Sequence, residues 1–275
     1  IVRPTNLCIC NADMRYYLGT RDAKVLAEKL PMALIHEGVG VVMRDPSGKF
    51  APGDRVVMVP NCPTETDDYI GENYLRSSKF CGSSMDGFLQ EYVEISPRRL
   101  VKLPQDINMN VAAFTEIVSV AVHAISRFDK IAHARRDAIG VWGDGNLAYI
   151  VSLFLKKTFP DSKVYVFGLN DDKLADFTFA DGAYKTTEVP EGFTMDHAFE
   201  CVGGNGSPIA IEQIIGLIKP EATLSILGVS EYPVPINTRM ILEKGLRVFG
   251  SSRSGVADFE KTVQMYQQYP EIIDY

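Results

Sequence analysis

Cysteine is scarce in the chain: five residues in 275, scattered at Cys8, Cys10, Cys62, Cys81 and Cys201. An odd and dispersed set excludes the dense framework of a secreted disulfide scaffold and leaves thiols that are reduced, buried or bound to metal. Long apolar runs are missing too. No stretch approaches the ~20 residues of a membrane span, and the opening IVRPTNLCIC lacks the basic, apolar and small segments of a signal peptide. A cytoplasmic, soluble chain is expected. Surplus positive charge is absent, since 28 Lys and Arg stand against 35 Asp and Glu for a net charge of −7. Such a balance offers no general attraction to nucleic acid or to anionic lipid.

What is present is a globular composition, 46% hydrophobic and 23% charged, in a chain long enough for two domains. The chain opens without Met in what reads as mid-strand and stops directly after a helical pattern, so terminal segments are expected beyond it. Residues 1–120 are rich in Gly, Pro and short β-branched runs: Ile1 to Pro4, Leu34-Ile35, Gly38 to Met43, Arg55 to Val59 and Glu91 to Ile95. That spacing predicts a β-rich, barrel-like unit. Within it, Asn61 to Asp86 is polar and without period, the mark of a long functional excursion. A nearly uncharged helix follows from Asn110 to Ile125, with Asn108 or Asn110 as its cap.

Residues 121–275 alternate in type. Strands are expected near 139–143, 163–167, 197–202, 223–228 and 246–250, with helices at Asn146 to Thr158, Asp171 to Phe177, Ser207 to Ile218 and Thr238 to Glu243. Alternation predicts a doubly wound parallel sheet, so the fold class is α/β with a Rossmann-type second domain. Its first strand runs into Gly143-Asp144-Gly145-Asn146-Leu147-Ala148 and then into a helix. This is the GxGxxG/A fingerprint in the setting it requires: a tight turn, a backbone open to pyrophosphate, a small residue at the packed position and a helix N-terminus for the anion. The second strand ends at Gly168, where NAD enzymes place a ribose-binding acid. Without that acid the 2′-phosphate of NADP(H) is not repelled, and Asn170 and Lys173 stand near it as candidate contacts. The alternative is that Asp171 or Asp172, slightly later, binds the ribose of NAD.

Three features of the first unit suit zinc. Cys10 and Asp13 are expected on one loop, His36-Glu37 on a Gly-flanked strand, and Glu116 is the only charge of an apolar helix. A buried carboxylate demands a cation, and Cys, His and Glu are competent ligands for a catalytic site with an open position. Taken singly, Cys10 also fits a core thiol, His36 a hydrogen-bonded core imidazole and Glu116 a solvent-facing helix residue.

Together with Gly53-Asp54-Arg55-Val56, Asp86-Gly87-Phe88, the glycine fingerprint and Phe199-Glu200-Cys201-Val202-Gly203, these segments resemble the zinc-dependent medium-chain dehydrogenase/reductase family, in its polyol dehydrogenase branch. The resemblance implies a GroES-like catalytic domain with one zinc on Cys10, His36 and Glu116, Glu37 as a near or fourth ligand and Asp13 orienting His36. It covers nearly the whole chain. Glu72 to Ser78, Val141 to Asn146 and Ser230 to Pro233 are similar to the subgroup of ribulose-5-phosphate reductases of bacterial wall teichoic acid synthesis. That likeness implies reduction of D-ribulose 5-phosphate with NADPH, a cytidylyltransferase as pathway partner and a homodimer. Family members extend further at both ends, so the resemblance implies a first domain incomplete at its N-terminus and lacking its C-terminal return segment, and the chain departs from many relatives in two further ways. Cys62 and Cys81 stand where a structural zinc takes four cysteines, so no structural zinc is expected. Ala12 and Arg15 replace the usual proton relay, leaving water or Tyr17 for that role. Arg15 is a candidate for the substrate phosphate, with Arg76 and Lys79 as competitors. The rival readings are an NAD-linked polyol dehydrogenase and a zinc-free, quinone-reductase-like NADPH binder.

Overall fold

Valine alternating with glycine and polar residues builds the first sheet. In the computed structural model, which describes residues 1–275 except for the side chain of Asp274, the chain divides into two units, 1–120 with 253–275 and 121–252. In the first, β1 (Val2–Cys8) leads to the helices α1 (Asn11–Tyr17) and α2 (Ala23–Lys29), and then to β2 (Glu37–Val42) and β3 (Arg55–Met58). A short hairpin, β4 (Asn61–Cys62) with β5 (Lys79–Phe80), lies inside the long polar excursion, and β6 (Leu100–Lys102) completes an antiparallel sheet of order β1-β2-β3-β6. Val2, Val42, Val56, Met58, Phe88 and Leu100 pack as its core. The expected strand at Glu91 to Ile95 reduces to a single bridge, Val93 to Val2.

The apolar segment after it forms two helices, α3 (Met109–Ala112), capped by Asn108, and α4 (Thr115–Ile131). The division between units falls within α4.

The second unit follows the alternation of its sequence: β7 (Ala138–Trp142), α5 (Asn146–Thr158), β8 (Lys163–Gly168), α6 (Asp171–Ala175), β9 (Gly182–Lys185), β10 (Met195–Glu200), α7 (Ser207–Leu217), β11 (Ile218–Ile226), α8 (Thr238–Lys244) and β12 (Arg247–Gly250). The six strands pair in parallel in the order β12-β11-β10-β7-β8-β9. The chain leaves β7 in one direction through β8 and β9, then returns to its other side with β10. That reversal is the point where open α/β sheets bind ligands. Trp142 stacks on Phe167 with centroids 4.2 Å apart, inside a core that includes Met195, Ile214 and Leu224.

One expectation is corrected. Residues 121–275 are expected from sequence to form the nucleotide unit, with no return segment for the first, whereas 253–275 belongs with the first unit. Side-chain chemistry explains it. The helix α9 (Val256–Gln268) buries Phe259, Val263 and Tyr266. Tyr266 Oη lies 3.3 Å from Thr115 Oγ1, Ser254 Oγ lies 2.7 Å from Ser119 Oγ, and Val256 N–H donates to Glu72 Oε1 at 2.9 Å. Glu72 is itself clamped by both terminal nitrogens of Arg99 at 2.8 and 2.9 Å.

Candidate active site and nucleotide turn

The first unit gathers its reactive side chains at the start of α1 and the start of β2. Cys10 does not sit on an open loop, as expected, but is the N-cap of α1. Its Sγ accepts the Ala12 N–H at 3.2 Å, while Asp13 Oδ2 accepts the Cys10 N–H at 3.0 Å. This reciprocal pair fixes the thiol at a helix entry. The other oxygen of Asp13 accepts the Ile35 N–H at 2.9 Å and so ties α1 to the residue before His36.

Ile35 is buried with φ of 71°, a left-handed conformation that costs a side-chain-bearing residue about 1–2 kcal/mol. Its neighbours hold it there. A Cβ on Gly87 would lie 2.2 Å from Ile35 O, so only glycine admits this approach, and Phe88 N–H donates to the same oxygen at 2.6 Å. The turn directs His36, which precedes β2 rather than lying on it, so that its Nε2 stands 3.4 Å from Cys10 Sγ.

Cys10, His36 and Glu37 each bring a ligand atom within 4.8 Å of the others, a group able to hold a metal ion. Glu116 is outside that group, though it was expected as the third ligand, but it is buried and electrostatically joined to it. Burial first, and then the negative charges of Glu37 and Asp13, push its carboxyl well above the ordinary range, against the pull of Arg253. Burial and Asp13 likewise push Glu37 up to about 7. Burial pushes the Cys10 thiol up to about 12 and holds His36 below its usual value. Two carboxyl groups, a thiol and an imidazole shifted toward neutrality describe a desolvated donor set, and a zinc ion fits such a set. Asp13 Oδ1 approaches His36 Nδ1 only to 3.9 Å, so its firm bonds are to backbone rather than to the ring it was expected to orient.

The remaining expectations separate. Tyr17, offered for proton delivery, is 79% exposed, whereas its neighbour Tyr16 is 3% exposed and accepts a hydrogen bond from Lys29 Nζ at 3.3 Å. Helical spacing explains the difference, because Tyr16 follows Asp13 by three residues on the buried face. Arg15 is half-buried, while Arg76 and Lys79 are exposed on the excursion. Sequence reading missed Arg253, whose guanidinium carbon lies 4.9 Å from the Phe80 ring centroid, with that ring in turn 5.3 Å from His36. The signal was available: three buried acids require a nearby cation, and Arg253 is felt by both Glu116 and His36.

In the second unit the glycine turn has the geometry its sequence demanded. Gly143 has φ of +132°, and a Cβ there would lie 3.1 Å from both Ala148 Cβ and Cys201 O. At Gly145 an added Cβ meets nothing within 4 Å, which is the open approach a pyrophosphate needs, and α5 begins there with no side-chain cap on its N–H groups. Asn146 and Leu147 start that helix and Ala148 is fully buried beneath it.

Glu200, a motif residue to which no role was assigned, braces the other side of the turn. Its carboxylate accepts N–H groups of Val202, Gly203 and Gly228 at 3.0, 2.8 and 3.1 Å. The charge argument at Gly168 changes in detail. Asp144 Oδ2 accepts the N–H groups of Leu169 and Asn170 at 2.8 and 2.9 Å, so a carboxylate already faces the end of β8. Burial raises its pKa, but those two bonds and the charge of Lys173 outweigh burial and leave it below the ordinary range. Asn170 spends its side-chain oxygen capping Lys173 N–H, and Asp171, one of the two acids considered for the ribose of NAD, pairs with Lys185 at 2.5 Å while staying largely exposed.

These two constructions are those of a zinc-binding dehydrogenase, and comparison with known proteins agrees. Residues 1–105 match the family model for the alcohol dehydrogenase GroES-like domain, and residues 163–268 match that for zinc-binding dehydrogenase. The chain belongs to the zinc-dependent medium-chain dehydrogenase/reductase family. It is 59% identical over 275 residues to a ribulose-5-phosphate reductase of Bacillus spizizenii, covering 100% of this chain and 81% of the relative. Identity to ribulose-5-phosphate reductase 1 of Staphylococcus aureus is 54% over 274 residues, covering 100% and 80%. The crystal structure of S. aureus TarJ in complex with NADPH superposes with a TM-score of 0.88 at 49% identity, covering 99% of this chain and 78% of that one.

Proposed function

We propose that this chain reduces D-ribulose 5-phosphate to D-ribitol 5-phosphate with NADPH, on a single zinc held by Cys10 and His36 with Glu37 and Glu116 as the neighbouring carboxylates. The observation that carries the reading is the convergence of Cys10, His36 and Glu37 within 4.8 Å in a chain 59% identical, along its whole length, to a ribulose-5-phosphate reductase. Bound there, zinc supplies a Lewis acid for the ketone oxygen, and NADPH supplies the hydride. The residues do the rest. Cys10 and His36 are pre-set by the α1 cap and the left-handed Ile35, so their donor atoms need little rearrangement. Asp13 keeps both elements in register through its two backbone bonds. The Gly143 to Ala148 turn accepts the pyrophosphate, with Glu200 bracing the loops beside it, and Asn170 and Lys173 remain the groups nearest the 2′-phosphate end.

The setting is that of a cytoplasmic homodimer whose product feeds a cytidylyltransferase in teichoic acid synthesis, with no nucleic-acid or membrane partner. The net charge of −7 gives no general attraction to nucleic acid, and among the described residues no helix is long and apolar enough to cross a membrane. The test is NADPH oxidation followed by absorbance, with ribulose 5-phosphate against xylulose 5-phosphate, unphosphorylated ribulose and fructose. Turnover that favours ribulose 5-phosphate and disappears with a chelator is expected. Zinc-free protein with full activity, or NADH preferred over NADPH, refutes the reading.

A further inference from the structure

One cluster in the first unit has cations and no anion. Arg21 stacks its guanidinium carbon 4.2 Å from the Tyr16 ring centroid, and Lys29 Nζ lies 6.0 Å from the same centroid. Lys29 Nζ donates to Tyr16 Oη at 3.3 Å and to Ser83 Oγ at 3.5 Å. Neither cation has a carboxylate partner among the described residues, and Arg21 Nε is buried with no hydrogen-bond partner. The adjoining acid, Asp22, uses its side chain to cap Lys24 N–H at 2.9 Å. A desolvated guanidinium N–H left unpaired costs about 1–3 kcal/mol, and two cations around one ring repel each other. One anion bound between them relieves that repulsion. Tyr16 itself is under the same positive influence: burial raises its pKa, but hydrogen bonds from Ser83 and Lys29 and the charges of Arg21 and Lys29 leave it lowered.

We propose that Arg21 and Lys29, with Tyr16 and Ser83 as their hydrogen-bonding frame, form the subsite that takes the phosphate group of the substrate. The assignment rests on the sugar-phosphate reading given above and specifies which residues select phosphorylated over free sugar. Its position supports it. Tyr16 follows Asp13 by three residues of helix, a rise of about 4.5 Å, and Asp13 touches the backbone on both sides of the Cys10–His36 pair. In a ribulose 5-phosphate the phosphorus lies five bonds of roughly 1.5 Å from the carbonyl carbon, about 6–7 Å when extended. Ser83 closes the other side, since its N–H donates to Phe80 O at 3.1 Å and the Phe80 ring packs on His36. Arg fits the role because its planar fork remains charged and meets phosphate oxygens two at a time, with Lys adding a point charge. This replaces Arg15, Arg76 and Lys79 as the expected phosphate contacts, the last two of which are exposed on the excursion.

The experiment compares wild type with Arg21→Gln, Lys29→Met and the conservative Lys29→Arg as zinc-loaded enzymes with NADPH. The readout is the ratio of kcat/KM for ribulose 5-phosphate to that for unphosphorylated ribulose. Each neutral variant is expected to lower the ratio about 10- to 100-fold, mainly through KM, as removal of one charge-assisted bond implies, and Lys29→Arg to restore most of it. Losses that fall equally on both sugars, or a ratio unchanged in both neutral variants, overturn the proposal. Calorimetric titration with inorganic phosphate separates it from the parent reading. Phosphate that binds wild type and not the double variant supports the subsite even if ribulose 5-phosphate is not the substrate, and a wild type that binds no phosphate overturns it.

Discussion

Introducing aspartate at Gly168 tests the cofactor site at the point where charge logic and packing disagree. On charge alone, Gly168→Asp should weaken NADPH by repelling its 2′-phosphate and help NADH by accepting bonds from the ribose hydroxyls. Packing says otherwise. A Cβ at 168 would lie 2.7 Å from Asp144 Cβ, 3.0 Å from Asp144 Oδ2 and 3.0 Å from Leu174 Cδ2. The nearest of these is not the end of a flexible side chain, so the turn itself must shift. Two carboxylates about 4 Å apart repel by about 4 kcal/mol at an effective dielectric near 20, and partial exposure reduces that to roughly half. Pushing Asp144 away also breaks its bonds to Leu169 and Asn170 N–H, at about 1 kcal/mol or more.

The expected total is about 3 kcal/mol, roughly a hundredfold in affinity, and it falls on both cofactors because the Gly143 to Ala148 turn is displaced. Fluorescence titration with NADPH and NADH should therefore show NADH binding about a hundredfold weaker in Gly168→Asp than in wild type, with NADPH weaker still. The double variant Asp144→Gly with Gly168→Asp removes the clash and one of the two charges, and should recover NADH but not NADPH. If Gly168→Asp alone binds NADH as well as wild type or better, the packing argument is wrong.

Replacing Cys10 or His36 by Ala should abolish stoichiometric zinc, read by elemental analysis, together with ketose reduction. NADPH binding by fluorescence should persist within about threefold, because the fingerprint turn is built from other residues; joint loss of metal and cofactor binding would mean a folding defect instead. Asp196→Ala should destabilise the second unit by about 2–3 kcal/mol at pH 7, because the buried carboxylate joins Arg135, Lys219 and Ala138 N–H at 2.9, 2.9 and 3.0 Å. Burial raises the Asp196 pKa, but bonds from Lys219 and Ala138 and the charges of Lys219 and Arg135 leave it lowered. Its stabilisation is then complete above the unfolded value of about 4 and fades as pH falls through the folded pKa. Thermal melts should show the gap between variant and wild type shrinking toward pH 2.5, and a constant gap contradicts the ionic account.

The parallel half was legible because each of its signals is local. A strand of β-branched residues, a glycine turn and an amphipathic helix are each set by neighbours within a few positions, so α5 falls on Asn146–Thr158 as read. The strand β9 escaped because Gly182–Lys185 is short and has only one strongly β-forming residue, and it pairs by register with Tyr165 to Gly168. The fate of 253–275 was not legible for a different reason: α9 presents the same period whichever unit buries it. What decides it is the Glu72 carboxylate, which lies 184 positions away from the N–H it accepts.

The same distinction between near and far partners runs through the site. Residue types pointed to candidate metal donors, since Cys, His and Glu carry that chemistry wherever they fold, but they could not say which acid lies beside Cys10 and His36. That depends on Ile35, whose strained turn is held by Asp13 from before it and by Gly87 from after it. Buried carboxylates also imply a compensating cation without naming it, and Arg253 arrives from the return segment that sequence reading assigned elsewhere. The adjacent tyrosines make the point most sharply. Tyr16 and Tyr17 are alike in sequence, yet one hundred degrees of helical rotation puts the first among Arg21, Lys29 and Ser83 and the second in solvent. Reading α1 by its capping residue finds the buried tyrosine: with Cys10 as N-cap and Asp13 turned inward, the next inward position is three residues on, and that position is Tyr16.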